Sequence, residues 1–158
     1  MTLAVDLVEF AYGAGAIIAT AESCTGGLVA VAITDVAGSS AVFDRGFVTY
    51  TNAAKIEMLG VMQTTLNSYG AVSEQVAAEM ALGAVRNSNA TLSVSITGIA
   101  GPGGSEHKPE GRVCFGVHND GITVTQTVDF GPLGRRSVRI KACNHALELL
   151  VNEINYTK

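Results

Sequence analysis

Ser23, Tyr50 and Lys55 are the residues whose types suit acyl transfer: a hydroxyl nucleophile, a phenol able to relay a proton, and an amine that is a base once neutral. Ser23 lies in Ala21-Glu22-Ser23-Cys24-Thr25-Gly26-Gly27. The β-branched lead-in Ile17-Ile18-Ala19-Thr20 and the apolar run Leu28 to Ile33 read as a short buried strand running straight into a helix. Such a junction gathers backbone N–H groups and the positive end of a helix dipole at one exposed spot. Gly26 and Gly27 let another molecule come close to the backbone. Cys24, Thr25, Gly26 and Gly27 are therefore candidate substrate contacts, with N–H groups from Thr25 to Gly27 placed to hold an oxyanion. The same junction binds phosphate without any chemistry, and a serine there is also an ordinary helix N-cap.

Ser23 needs a base. The three histidines, His107, His118 and His145, sit in no triad motif, and no Gly-x-Ser-x-Gly elbow exists. Lys55 is the better candidate. It falls three residues after Asn52, the expected N-cap of a short helix, where the dipole disfavours a cation by about 0.3–1 kcal/mol. That is less than one pKa unit, about 1.4 kcal/mol, so burial would have to supply the rest. A solvated surface lysine is the alternative. Tyr50 ends the strand before this helix, where a phenol can stand between serine and lysine or be an ordinary strand aromatic. Cys24 is a rival nucleophile, since a thiol at a helix N-terminus can have a depressed pKa.

Thr97-Gly98-Ile99-Ala100-Gly101-Pro102-Gly103-Gly104-Ser105 offers a second set of N–H groups. It lacks the lysine of a Walker A loop and is not G-x-G-x-x-G. A surface loop with turn glycines fits it too, although Pro102 stiffens it. Arg135, Arg136 and Arg139 crowd the expected start of the last helix, where cations are unfavourable and a bound anion would offset them. A solvated arginine face fits the same pattern.

The elements that must position these groups follow from periodicity. Helices are expected at about 3–13, 27–36, 53–59, from Ser73 as a cap, and at 134–154, the last with an apolar stripe of Ile140, Cys143, Leu147, Leu150 and Ile154. Strands are expected at Phe43–Tyr50, at Leu92–Thr97 as a half-buried strand of alternating apolar and hydroxyl residues, and at 113–118 and 122–128, joined by Asn119-Asp120-Gly121. The fold class is α/β, a three-layer α/β/α sandwich on a mixed, mostly parallel sheet with a late antiparallel hairpin. No linker or repeat marks a boundary, so residues 1–158 are read as one domain.

Composition narrows the function. The chain has 158 residues, 47% apolar and 15% charged, with a net charge of −4, which argues against a nucleic-acid partner held by a broad basic face. No apolar run approaches the roughly 20 residues of a membrane span. The N-terminus has no signal-peptide pattern, and three cysteines without a CxxC pair fit a reducing cytoplasm. No Cys/His ligand spacing suggests a metal. The apolar-rich composition makes a homo-oligomer an expectation.

Taken together, Ala21–Gly27, Arg45-Gly46-Phe47-Val48-Thr49-Tyr50 with Asn52 and Lys55, Gly70-Ala71-Val72-Ser73, and Ser95-Ile96-Thr97-Gly98-Ile99-Ala100-Gly101-Pro102 resemble the C-terminal domain of the competence-damage protein CinA. That family includes stand-alone nicotinamide mononucleotide amidases, and the resemblance spans essentially the whole chain. It implies cofactor-free hydrolysis of the nucleotide's carboxamide to nicotinic acid mononucleotide and ammonia, in pyridine nucleotide salvage. By motif position it implies Ser23 as nucleophile, Lys55 as base, Tyr50 as assistant, and Thr97 with the glycine loop, Gly98 and Gly101 included, at the substrate. It implies Arg135 at the phosphate, with Arg139 the next choice. Longer members add an N-terminal pyrophosphatase-like domain. This chain carries none, so the resemblance implies no such metal-dependent activity here. A nucleotide-binding module without turnover and an interaction protein using its apolar helix faces are the alternatives.

Overall fold

The computed structural model describes residues 2–157. In chain order the elements are α1 (Leu3–Ala14), β1 (Ile18–Glu22), α2 (Leu28–Thr34), β2 (Phe43–Val48), α3 (Asn52–Leu59), α4 (Gln63–Tyr69), α5 (Glu74–Arg86), β3 (Leu92–Gly98), β4 (Arg112–Asn119), β5 (Ile122–Asp129) and α6 (Arg135–Tyr156). The five strands form one sheet in the order β2-β1-β3-β4-β5. β1 pairs parallel with β2 and β3, whereas β3/β4 and β4/β5 pair antiparallel, so β4 alone is reversed. The hairpin turn uses Asp120 and Gly121, both at positive φ (50° and 76°), as the Asp-Gly pair requires.

Two cores lie on opposite faces, which makes the expected three-layer sandwich. Ile18, Val94, Ile96 and Phe115 face α1, α2 and α6, while Ala19, Ala21 and Phe47 face α3, α4 and α5. Alternation along β1 sends Ile18 to one core and Ala19 and Ala21 to the other, and a register shift in β2 between Phe43 and Arg45 lets Phe43 and Phe47 pack on opposite faces.

β3 departs from its half-buried expectation. Residues 92–97 are all buried, because the hydroxyl face lies under α5 rather than in water. Ser93 donates to the Ala81 carbonyl (2.7 Å), Ser95 to Ala77 (2.6 Å) and Thr97 to Ala71 (2.8 Å), so the polar alternation is satisfied inside the protein. Gly116 sits opposite Ser95 in register, and a Cβ there would come within 2.6 Å of the Ala77 carbonyl. Small residues on β3 and β4 are what allow α5 to pack this closely.

Two other expectations need correction, and α4 is an element the sequence reading did not include. Thr51, not Asn52, caps α3: its hydroxyl accepts from the Ala54 N–H (3.1 Å), and the helix starts one residue early. α4 carries no apolar period in the sequence and buries only Thr65 and Leu66. Ile140 is 44% exposed, and the buried stripe of α6 runs instead through Val138, Ala142, Cys143, Leu147, Leu150 and Ile154. Ser73 does cap α5, accepting from the Val76 N–H.

Candidate active site

Ser23 stands at the turn from β1 into α2, and its neighbour Glu22 builds that turn. The Glu22 carboxylate is fully buried and accepts from the N–H groups of Gly27 (3.2 Å), Val29 (3.0 Å) and Ala30 (3.0 Å). It occupies the positive end of α2, where a carboxylate is electrostatically favoured. The Gly26 N–H is also taken, donating to the Ser23 carbonyl (3.0 Å). The junction therefore does not offer the N–H groups of Gly26 and Gly27 to a ligand as the sequence suggested, because the strand ends in a carboxylate that claims the helix terminus. Among the described residues, the Thr25 N–H donates to no backbone acceptor, whereas the Cys24 N–H faces its own thiol. Arg139 reaches from α6 to brace the turn, donating through Nε to the Cys24 carbonyl (2.9 Å) and through Nη2 to that of Thr25 (3.3 Å).

Lys55 comes from α3 and is 1% exposed. Its Nζ is hydrogen-bonded to Ser23 Oγ (2.9 Å) and donates to the carbonyls of Thr49 (2.9 Å) and Tyr50 (3.3 Å). No carboxylate pairs with it among the described residues. Burial pushes its pKa down from 10.5 to about 8. The Thr51 cap places Lys55 beyond the first turn, so the depression comes from burial and not from the helix dipole. A neutral amine has two N–H bonds and one lone pair. The carbonyls can take only the former, which leaves the lone pair for the one partner that carries a proton, the Ser23 hydroxyl.

A cavity of about 320 Å³ opens over this pair, within the range of small-molecule sites. Ser23, Cys24, Lys55 and Tyr50 line it, as do Thr97, Gly98 and Gly101 from the second glycine loop and Arg135 from α6. Asn52, freed from capping, lines it too. Thr25, Gly26, Gly27 and Arg139 do not, although the sequence placed them at the substrate. Thr25 is fully buried, Gly26 faces the Arg139 guanidinium and Gly27 faces Val48 of β2, and that guanidinium is spent on turn carbonyls. Arg136 is exposed away from the cavity.

Tyr50 does not stand between serine and lysine, which touch directly. Its hydroxyl accepts from Arg135 Nη2, while Arg135 Nη1 donates to the Gly101 carbonyl (2.8 Å). Tyr50, Arg135 and the glycine loop thus form one connected wall. Thr97 already donates its hydroxyl to Ala71, which leaves it an acceptor toward the cavity.

The Cys24 thiol is buried, and burial pushes its pKa up to about 12, the reverse of an activated cysteine. His118 bonds Thr123 (2.6 Å), and His145 bonds Gln126 (2.7 Å) with its ring 4.7 Å from that of Phe115. Neither lines the cavity, and His107 lies exposed beside it. No cluster of three or more His, Cys, Asp or Glu residues able to hold a metal exists among the described residues. No helix among them is long and apolar enough to cross a membrane. Sequence reasoning missed Glu22. Its one signal is a lone glutamate closing a strand of otherwise uncharged residues.

An α/β/α sandwich with a serine and a buried lysine in contact at a strand-to-helix turn is the architecture of a hydrolase-type pocket. The chain belongs to the family of the CinA C-terminal domain, whose model matches residues 1–154. It is 55% identical over 138 residues to the nicotinamide-nucleotide amidohydrolase PncC of Enterobacter agglomerans, covering 86% of this chain and 84% of that one. It is 53% identical over 140 residues to the protein of that name from Escherichia coli (strain K12), covering 86% and 83%. Among solved structures, the competence/damage inducible protein CihA from Agrobacterium tumefaciens superposes with a TM-score of 0.87 at 47% identity, covering 95% of this chain and 96% of that one.

Proposed function

We propose that this protein hydrolyses the carboxamide of nicotinamide mononucleotide to nicotinic acid mononucleotide and ammonia, through an acyl-enzyme on Ser23. The observation that carries the reading is the 2.9 Å contact between a buried, carboxylate-free lysine and that serine at the base of the cavity. The similarity to two proteins named as nicotinamide-nucleotide amidohydrolases gives the substrate.

Neutral Lys55 takes the Ser23 proton as Oγ bonds to the amide carbon, and the carbonyl π pair moves onto oxygen. Cys24, the residue after the nucleophile, lines the cavity, and its backbone N–H is the donor assigned to that oxyanion. As the tetrahedral intermediate collapses, the C–N bond breaks and the Lys55 ammonium returns a proton to the departing nitrogen, which leaves as ammonia. Water then attacks the ester with Lys55 again as base, releasing the carboxylate and restoring the Ser23 hydroxyl. Two carbonyls fix the amine throughout, so the proton moves along a preset line. Tyr50 belongs to the binding wall in this scheme: with Arg135, Thr97 and the glycine loop it holds the ribose and phosphate, and that remote binding orients the amide. Three free cysteines fit a reducing compartment, and we place the reaction in the cytoplasm, in pyridine nucleotide salvage.

The test is ammonia release from nicotinamide mononucleotide by the purified protein in the presence of a chelator. Stoichiometric ammonia and nicotinic acid mononucleotide are expected. Tight nucleotide binding with no ammonia at any pH would instead make this a binding module.

A further inference from the structure

Glu110, in the segment between the second glycine loop and β4, has no part in the chemistry above, yet it holds the cavity's far wall together. Its Oε1 accepts from the Gly103 N–H (2.7 Å) and its Oε2 from the Gly134 N–H (3.2 Å). One carboxylate thus bridges the glycine loop and the residue immediately before Arg135. The loop is folded against it: a Cβ at Gly101, where φ is +91°, would lie 2.5 Å from the Glu110 carboxylate carbon. The other side of the bridge is closed by Arg135, which donates to the Gly101 carbonyl (2.8 Å) and to the Tyr50 hydroxyl. The bridge stands on fixed ground, because the adjacent Gly111 donates to the Ile99 carbonyl (2.8 Å) and accepts from the Phe130 N–H (2.9 Å).

We propose that Glu110 is a positioning residue for the phosphate end of the substrate, tying loop 101–104 to the start of α6 so that Arg135 and the loop backbone meet the phosphate already arranged. This rests on the reading that Arg135 takes the phosphate of a nucleotide. The physical reason is entropic. Gly101, Gly103 and Gly134 all sit at positive φ and are free to leave it, and a loop ordered only on binding charges that ordering to affinity. Two hydrogen bonds to a charged acceptor remove much of that freedom beforehand. Ser23 and Lys55 are held by β1, the α2 turn and α3, none of which Glu110 touches, so the chemical step is spared.

The experiment compares the wild type with Glu110→Ala and Glu110→Gln in two arms. Calorimetry measures binding of ribose 5-phosphate, and kinetics measures ammonia from nicotinamide mononucleotide and from the phosphate-free nicotinamide riboside. Expected for Glu110→Ala is about tenfold weaker ribose 5-phosphate binding and a similar rise in KM for the nucleotide, with kcat within about twofold and a smaller rise in KM for the riboside. Glu110→Gln keeps one acceptor oxygen and falls between. Unchanged ribose 5-phosphate affinity in both variants, no ribose 5-phosphate binding by the wild type, or equal losses on riboside and nucleotide would each overturn the proposal. If the wild type binds ribose 5-phosphate but releases no ammonia, the amidase reading fails while the binding arm still decides the role of Glu110.

Discussion

The Nζ of Lys55 lies 2.9 Å from the Oγ of Ser23, and its two other partners are carbonyl oxygens. In the proposed reaction that arrangement suits the lysine to act as a base rather than a countercharge. An ammonium there would be buried without a carboxylate, at a solvation cost that the lowered pKa expresses. A neutral amine satisfies every partner. Removing either member should then remove the chemistry: Ser23→Ala and Lys55→Met are each expected to lower kcat by at least about a thousandfold, measured as ammonia release. Lys55→Arg should not rescue, because guanidinium stays protonated. Either alanine or methionine variant turning over near the wild-type rate would contradict the pair's role.

The same amine sets the pH dependence. With a pKa near 8, Lys55 is mostly protonated at neutral pH and inactive as a base. The free-enzyme profile, kcat/KM, should rise roughly tenfold per pH unit below about 8 and level off above it. A profile flat from pH 6 to 9 would contradict a titrating lysine base.

Stability should follow the same proton. The folded pKa, about 8, lies below the ordinary lysine value of 10.5, so the unfolded chain binds more protons between the two. Unfolding free energy attributable to Lys55 is therefore lowest below pH 8, rises across that window, and is constant above it. Urea denaturation of wild type and Lys55→Met at pH 7.5 and 10.5 should show the difference between them shifting toward the wild type, by about 3 kcal/mol at most. No shift with pH would contradict a buried, carboxylate-free amine.

Glu22 makes a separate prediction. Glu22→Gln keeps the shape but replaces one acceptor oxygen with a donor facing a backbone N–H of α2. The expected cost is about 2–3 kcal/mol, read as a lower urea midpoint. A midpoint unchanged from wild type would mean that the carboxylate is dispensable to the turn.

Cys24 should be inert in the native protein. Its thiol is 5% exposed and its pKa is pushed up to about 12. Iodoacetamide at pH 8 should leave it unmodified until denaturant is added, as peptide mass mapping will show. Rapid native alkylation, or loss of turnover in Cys24→Ala with Ser23→Ala active, would make the thiol the nucleophile.

The framework and the two residues found in contact, Ser23 and Lys55, were legible in the sequence because both leave local signatures. β-Branched runs, the Ser73 cap and the Asp120-Gly121 turn each declare an element within a few residues, and Ser23, Tyr50 and Lys55 sit in short motifs. What it hid depends on partners far along the chain. Glu22 looks like any glutamate until α2 folds back onto it, and Arg139 looks like a phosphate ligand until α6 brings it to the Cys24 carbonyl. Tyr50 reads as a relay because it is near Lys55 in sequence, whereas its hydroxyl is claimed by Arg135 from the last helix. β3 reads as half-exposed because its hydroxyl face has no apolar label, although α5 carbonyls receive it.

The most direct measurement is intact-protein mass spectrometry of acid-quenched turnover with nicotinamide mononucleotide, followed by peptide mapping. A nicotinoyl ribotide ester on Ser23, absent from Ser23→Ala, is the expected result. Undiminished ammonia release by Ser23→Ala, or an adduct mapped to any other residue, would contradict the account.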